Sequence, residues 1–372
     1  MQEPSEQAEE LYNQGVALYE SRRYLDALAC FIKARDVEPT YLSAHWNECV
    51  TSLMLGDFET GWPLHEARWQ KNEGRWEPDP AKRGWRHLAQ PLWLGDVPIK
   101  GHVICLWGEQ GFGDMLQFCR YALNVQAMGA QVLLLVREPI ARLLAHSFAG
   151  TSIAVYSDAA ALPPFDFHCP LMSLPLACGT TTVEKIPTPI PYIHADPLDV
   201  SHWKTELEKH PSISESTTPL KRVGLVWSGA LRSQNPQAIQ MDLVRSLEFK
   251  YLEPLLAMAN PSNPSLQFVS LQKDGNPPLD APLLDLTAGL NDWADTAALV
   301  ANLDLVISCD TAVAHLAASM GKPTWILSRY NGCWRWLVDR TDSPWYPTVR
   351  LFHQPAPGDW ASVIGEVMRA LR

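Results

Sequence analysis

The chain has 372 residues, 47% hydrophobic and 19% charged, enough apolar material for two or three folded units. Its net charge of −11 argues against a surface built to neutralise nucleic-acid phosphates, which needs Lys and Arg in excess. No apolar run reaches the roughly 18 to 20 residues needed to span a bilayer.

The opening Met1–Glu10 is acidic and polar, the reverse of a secretion signal. Eight cysteines lie scattered, without a C-x-x-C pair or a His/Cys metal spacing. A reduced cytoplasmic protein with no metal site is expected.

The first 70 residues carry a helical pattern. Small and aromatic residues fall at Gly15, Ala27, Phe31 and Ala34, and Pro39 closes the unit. These offsets match the tetratricopeptide repeat, where small residues let two antiparallel helices approach. A weaker unit follows from Tyr41 to Trp69, turning at Gly56-Asp57. Residues 1–75 are thus expected to be a short all-α, TPR-like segment, serving either as docked padding or as an arm that recruits a partner. Residues 70–98, rich in Trp, Pro and Arg, read as a connecting segment.

From Gly101 the pattern changes. His102–Trp107 reads as a strand, Gly108–Gly113 as a glycine-rich loop and Asp114–Met128 as a helix. Gln131–Val136 is a strand, Pro139–Ser147 a helix and Ser152–Tyr156 a strand. A Pro-rich stretch, Ile186–Pro197, breaks the series as a hinge. The alternation resumes with strands Arg222–Trp227, Gln267–Leu271 and Asp304–Ser308, the helix Ala312–Met320 and the strand Thr324–Leu327. Strands alternating with helices imply parallel, doubly wound sheets. The expectation is an α/β chain with a Rossmann-like unit at 76–197 and a second at 198–357, facing each other across a cleft. A final helix at 358–372 is a candidate to cross back to the first unit.

Three places carry candidate chemistry. The turn Ser308-Cys-Asp-Thr-Ala-Val-Ala-His315 lies where a strand gives way to a helix, the edge at which such sheets bind ligands. Free amides at Thr311, Ala312 and Val313 and the helix dipole make an anion site there. Asp310 either caps the helix or fixes the turn, and His315 lies one turn in. In Gly111-Phe-Gly113-Asp114 the glycines admit a close backbone approach to a ligand, while Asp114 opens a helix. The aromatic patch Cys333-Trp-Arg-Trp336 with Trp345 and Tyr346 suits either stacking on a ligand or burial, and Arg335 is its candidate ligand contact.

The stretch Asp310-Thr-Ala-Val-Ala-His-Leu-Ala317, followed by Gly321-Lys-Pro-Thr-Trp325, resembles the diphosphate-binding signature of the heptosyltransferase-like (family 9) glycosyltransferases, with Ala312 at the usual glycine. Gly108-Glu-Gln-Gly-Phe-Gly-Asp114, Gly224-Leu-Val-Trp-Ser-Gly229, Phe268-Val-Ser-Leu-Gln-Lys273 and Asp342-Ser-Pro-Trp-Tyr-Pro347 agree in order and spacing. Together they look like bacterial tetratricopeptide proteins with a glycosyltransferase region of the two-lobed GT-B type. The resemblance implies inverting transfer of a sugar from a nucleotide-diphosphate donor, without metal or other cofactor, to a protein or glycan acceptor. It makes Asp114 the general base, with Glu109 the nearest substitute. It also makes Ser228, Gly229, Arg245 and Lys273 candidates, with Asp310, Thr311, Ala312 and His315, for holding the donor. Residues 230–242 lack the His-x-Asn-Asp-Arg type segment of the family. That departure favours a rival reading, a non-catalytic scaffold; a second rival is a nucleotide-sugar epimerase or hydrolase.

Overall fold

The computed structural model describes residues 4–69, 88–210, 220–229, 242–260, 265–273, 277–278 and 280–372. Most of the connecting segment and the altered stretch at 230–241 lie outside them.

Four helices come first: α1 (Glu6–Glu20), α2 (Tyr24–Val37), α3 (Leu42–Met54) and α4 (Phe58–His65). Ser5 and Asp57 cap α1 and α4 by accepting backbone N–H bonds from Ala8 and Thr60. Two small residues set how closely the helices approach. A Cβ on Gly15 would sit 2.6 Å from the Phe31 ring, and one on Gly61 would sit 2.5 Å from Leu53. The outcome is two helical hairpins, α1/α2 and α3/α4.

The first sheet holds β1 (Val103–Trp107), β2 (Gln131–Leu135), β3 (Ile153–Tyr156) and β4 (Phe167–Pro170), in the order β3-β2-β1-β4. Between them run α5 (Phe112–Phe118), α6 (Tyr121–Ala127) and α7 (Glu138–Ser147). The single helix expected over Asp114–Met128 is therefore two. Near the break, side chains draw on the backbone carbonyls: Tyr192 Oη donates to Leu116 O at 2.8 Å and Arg120 Nε to Gln117 O at 2.9 Å.

The second sheet holds β5 (Lys221–Val226), β6 (Leu266–Ser270), β7 (Leu284–Asp285), β8 (Leu305–Cys309), β9 (Thr324–Ser328) and β10 (Val349–His353), in the order β10-β9-β8-β5-β6-β7. The helices α8 (Pro197–Glu208), α9 (Trp293–Ala301), α10 (Ala312–Ser319) and α11 (Trp360–Leu371) belong with it. All ladder pairings between strands are parallel. In each sheet, order runs one way from the first strand and then reverses beside it, as in doubly wound nucleotide-binding sheets. The reversal falls between β1 and β4 and between β5 and β8.

The final helix stays on the second lobe and does not cross back. Its apolar stripe of Trp360, Val363, Ile364 and Val367 shares one buried cluster with Val223, Leu225 and Phe268 of that lobe's sheet. At the lobe junction the helical unit and both lobes share one buried cluster. The largest buried cluster runs from Leu53 and Trp62 of the helical unit, through Ile104 and Phe118 of the first lobe, to Leu316, Trp336 and Trp345 of the second. No helix among the described residues is long and apolar enough to cross a membrane.

Candidate functional site at the lobe junction

Loops leaving β1 and β8, each beside its sheet's reversal point, meet at the junction. They bring the starts of α5 and α10 face to face. A Cβ on Gly113 would lie 3.1 Å from His315 Cδ2 and 3.4 Å from Ala312 Cα, so a side chain there would press on the start of α10. The backbone of one lobe here rests on the helix start of the other.

Asp114 has both carboxylate oxygens engaged. One accepts the Gly111 N–H at 2.9 Å, bracing the start of α5. The other is ion-paired with Arg335 Nη2, which arrives from the second lobe between β9 and β10. Arg335 Nε also donates to Gln117 Oε1 at 2.8 Å, and its guanidinium lies 4.2 Å over the Trp334 ring. Asp114 and Arg335, drawn from different sequence motifs, thus belong to one cluster.

Glu109 is buried behind that loop. Arg68, just past α4, donates to Glu109 Oε1 at 3.0 Å from Nη2 and to Glu66 Oε1 at 2.6 Å from Nη1. Ser173 Oγ, in the loop after β4, accepts from the same guanidinium at 2.6 Å. Burial pushes the Glu109 carboxyl up to about 7, with Arg68 pulling against it. Among the described residues, Glu109 Oε2 and Glu66 Oε2 have no hydrogen-bond partner.

On the second lobe, Arg245 is the hub. Its Nη1 donates to Asp310 O at 3.1 Å, its Nη2 pairs with Asp242 at 2.7 Å, and its guanidinium fills the space where Gly229 lacks a side chain. Gln272 Oε1 accepts the Ser228 N–H at 2.9 Å, and Ser246 Oγ accepts that of Gly229 at 3.1 Å. The loop leaving β5 is thereby held beside the Asp310–Thr311 turn. Thr311 is the N-cap of α10 without a side-chain cap; its Oγ1 bonds Ser308 Oγ at 2.9 Å instead.

His315 and Lys273 are both engaged within the protein, and His315 keeps its Nε2 3.7 Å from Asp310 Oδ1. His315 is buried, bonded through Nδ1 to Tyr346 Oη at 2.9 Å and stacked on Trp336 at 5.4 Å. Burial drives its pKa down to about 4, so near neutrality it is a neutral ring and not a counter-charge. Lys273 Nζ donates to Leu290 O at 3.0 Å and braces the loop before α9. Of the aromatic patch, Trp336, Trp345 and Tyr346 are fully buried.

The structure therefore gathers Gly111, Gly113, Asp114, Ala312, His315 and Arg335 at one face of the junction. Gly229, Arg245 and Asp310 gather beside it, and Glu109 sits behind with Arg68. Arg68, Gln117 and Arg120 were not expected from the sequence. Arg120 is fully buried, donating to Trp345 O at 2.8 Å and Tyr192 Oη at 3.0 Å, so it ties the lobes together. The one signal for it is a charged residue inside an apolar helical run.

A pair of parallel doubly wound sheets, with their reversal points beside the lobe junction, defines the class: a two-lobed α/β protein. Residues 287–327, which include the turn after β8, match the family described as Glycosyltransferase family 9 (heptosyltransferase). Among curated proteins the chain is similar to Protein FlbA of Caulobacter vibrioides, 28% identical over 350 residues. That alignment covers 86% of this chain but 53% of the relative, so the chain spans about half the relative's length. Among solved structures it is similar to a family 9 glycosyl transferase from Veillonella parvula, at 8% identity and TM-score 0.49, covering 73% of this chain and 90% of that one. It is also similar to the E. coli ADP-heptose LPS heptosyltransferase II, at 11% identity and TM-score 0.45, covering 72% and 99%.

Proposed function

We propose that the chain is a GT-B-type glycosyltransferase that moves a sugar from a nucleotide-diphosphate donor to an acceptor hydroxyl, with inversion and without a metal. One observation carries the reading: the start of α10, inside the stretch that matches family 9, meets Gly113, next to Asp114, of the opposite lobe beside the two reversal points. Amides at Thr311, Ala312 and Val313 would take the diphosphate, with Arg245, bonded to Asp310 O, as a cation beside them. Asp114 would accept the acceptor's proton as the new bond forms. Ser228 and Gly229 would border the donor, and Lys273 would have to leave Leu290 O to join them. The helical unit, read as TPR-like, would present a protein or glycan acceptor in the cytoplasm.

A second reading, the non-catalytic scaffold, draws support from the same junction. The helix start is covered by Gly113, and Asp114 is already paired. Thermal shift with ADP, UDP, GDP and CDP separates the two. Ligand at about a hundredfold over Kd stabilises a binder by roughly 2.7 kcal/mol and raises Tm. No shift with any of the four would favour the scaffold. Once a donor is found, Asp114→Asn should abolish transfer and leave nucleotide affinity unchanged; parental turnover in that variant removes Asp114 from the base role.

A further inference from the structure

We propose that Trp62, in the last of the four N-terminal helices, is a positioning residue for the junction carboxylate: it pins Trp334, Trp334 carries Arg335, and Arg335 sets Asp114. The inference rests on Asp114 being the working carboxylate, and it gives the helical unit a task at the site itself.

Each link is direct. The rings of Trp62 and Trp334 meet edge-on, with centroids 5.5 Å apart. Phe118 of the first lobe stacks with Trp334 at 6.4 Å. The Arg335 guanidinium lies 4.2 Å over Trp334, in a setting dry enough for the cation–π contact to fix its plane. Gln117 Oε1 takes Arg335 Nε at 2.8 Å, leaving Nη2 directed at Asp114. The Trp334–Trp336 turn is closed by the Trp336 N–H donating to Cys333 O at 2.9 Å. Leu337, just after it, has φ of +57°, a left-handed conformation that a non-glycine residue keeps only when its surroundings impose it. Trp62 packs on Trp334, at the start of that turn. Its Nε1 has no hydrogen-bond partner among the described residues, so its contribution here is the ring. Trp62 is 1% exposed and also touches Phe58, His65, Phe118 and Trp345. The helical unit is thus wedged against both lobes where they meet.

The test follows Arg335 itself. In protein labelled with 15N-arginine, the Arg335 Nε–H signal, assigned by its loss in Arg335→Lys, should exchange slowly with solvent. Trp62→Leu should speed that exchange at least tenfold, while the Arg120 Nε–H stays within about twofold of the parent. Trp62→Phe, which keeps a ring, should restore most of the protection. Parental protection of Arg335 in folded Trp62→Leu overturns the proposal. Should that variant fail to fold, Trp334→Leu carries the same expectation, and parental protection there is equally fatal. With a donor identified by the nucleoside-diphosphate panel, Trp62→Leu should lower kcat at least tenfold and leave nucleotide Kd within about twofold. If Asp114→Asn transfers at the parental rate while Arg335 still loses protection in Trp62→Leu, the base assignment fails and the positioning chain stands.

Discussion

Arg68 and Arg142 each pair with more than one carboxylate and each bridge a boundary between units, yet they sit in different media. Arg68 joins the helical unit to the first lobe, with its side chain 5% exposed and Glu66 and Glu109 each 4% exposed. Arg142, on α7 of the first lobe, reaches Asp199 of α8 and Asp292 and Asp295 of α9, with its side chain 47% exposed. The buried trio cannot be re-solvated without opening the fold, so its charges must be balanced internally. The exposed quartet has water and salt to replace any partner it loses. Position relative to solvent, and not the number of ion pairs, sets what each arginine is worth.

The comparison breaks most visibly at Arg68. Arg68→Met leaves two carboxylates facing each other in the interior and should cost about 3–5 kcal/mol in denaturant unfolding. The loss should hold at high salt, because a buried group is poorly screened. A cost under about 1 kcal/mol would show that the two carboxyls do not need the Arg68 cation.

The sequence makes much of the strand–helix alternation plain because β1, β2, β3, β5, β6, β8 and β9 are short, mostly apolar runs of four to six residues. Strands β4 and β10 are harder to read: Phe167–Pro170 holds a histidine and a proline, and Val349–His353 an arginine and a histidine. In the site, Gly113, Asp114, Asp310 and Thr311 could be singled out because turn chemistry is local. Arg68, Gln117 and Trp62 could not. Their importance comes from partners tens or hundreds of residues away, such as Gln117 with Arg335 at a separation of 218. The same limit separates His315 as expected from His315 as found. A helix pattern places it one turn past the anion site but does not show Trp336 and Tyr346 closing over it.

A subtler effect comes from proton linkage. Glu109 titrates near 4.5 when unfolded and is raised to about 7 in the fold. It binds its proton more tightly in the folded state, so its contribution to stability is complete below about 4.5 and is lost as pH rises through about 7. His168 and His315 act the other way. Burial lowers both to about 4, so their share is lost as pH falls from about 6.5 towards 4. Glu66, Arg68 and Asp114 are the charged groups around Glu109. Glu109→Gln should therefore gain on the parent in Tm as pH is raised from 5 to 8. A difference between the two that stays flat with pH would mean Glu109 titrates like an exposed carboxylate.

The smallest effect is expected at Arg142. Asp292 already has other work, capping α9 by accepting the N–H groups of Ala294 and Asp295. Without Arg142, three carboxylates remain close together, but each is partly open to water and can relax away from the others. Arg142→Ala should cost about 1 kcal/mol or less at low salt. The cost should shrink towards zero at about 1 M salt, where the screening length falls to roughly 3 Å. If it instead matched Arg68→Met and ignored salt, the Arg142 cluster would be dry in solution. Lobe contact on that side would then be as firm as it is beneath the helical unit.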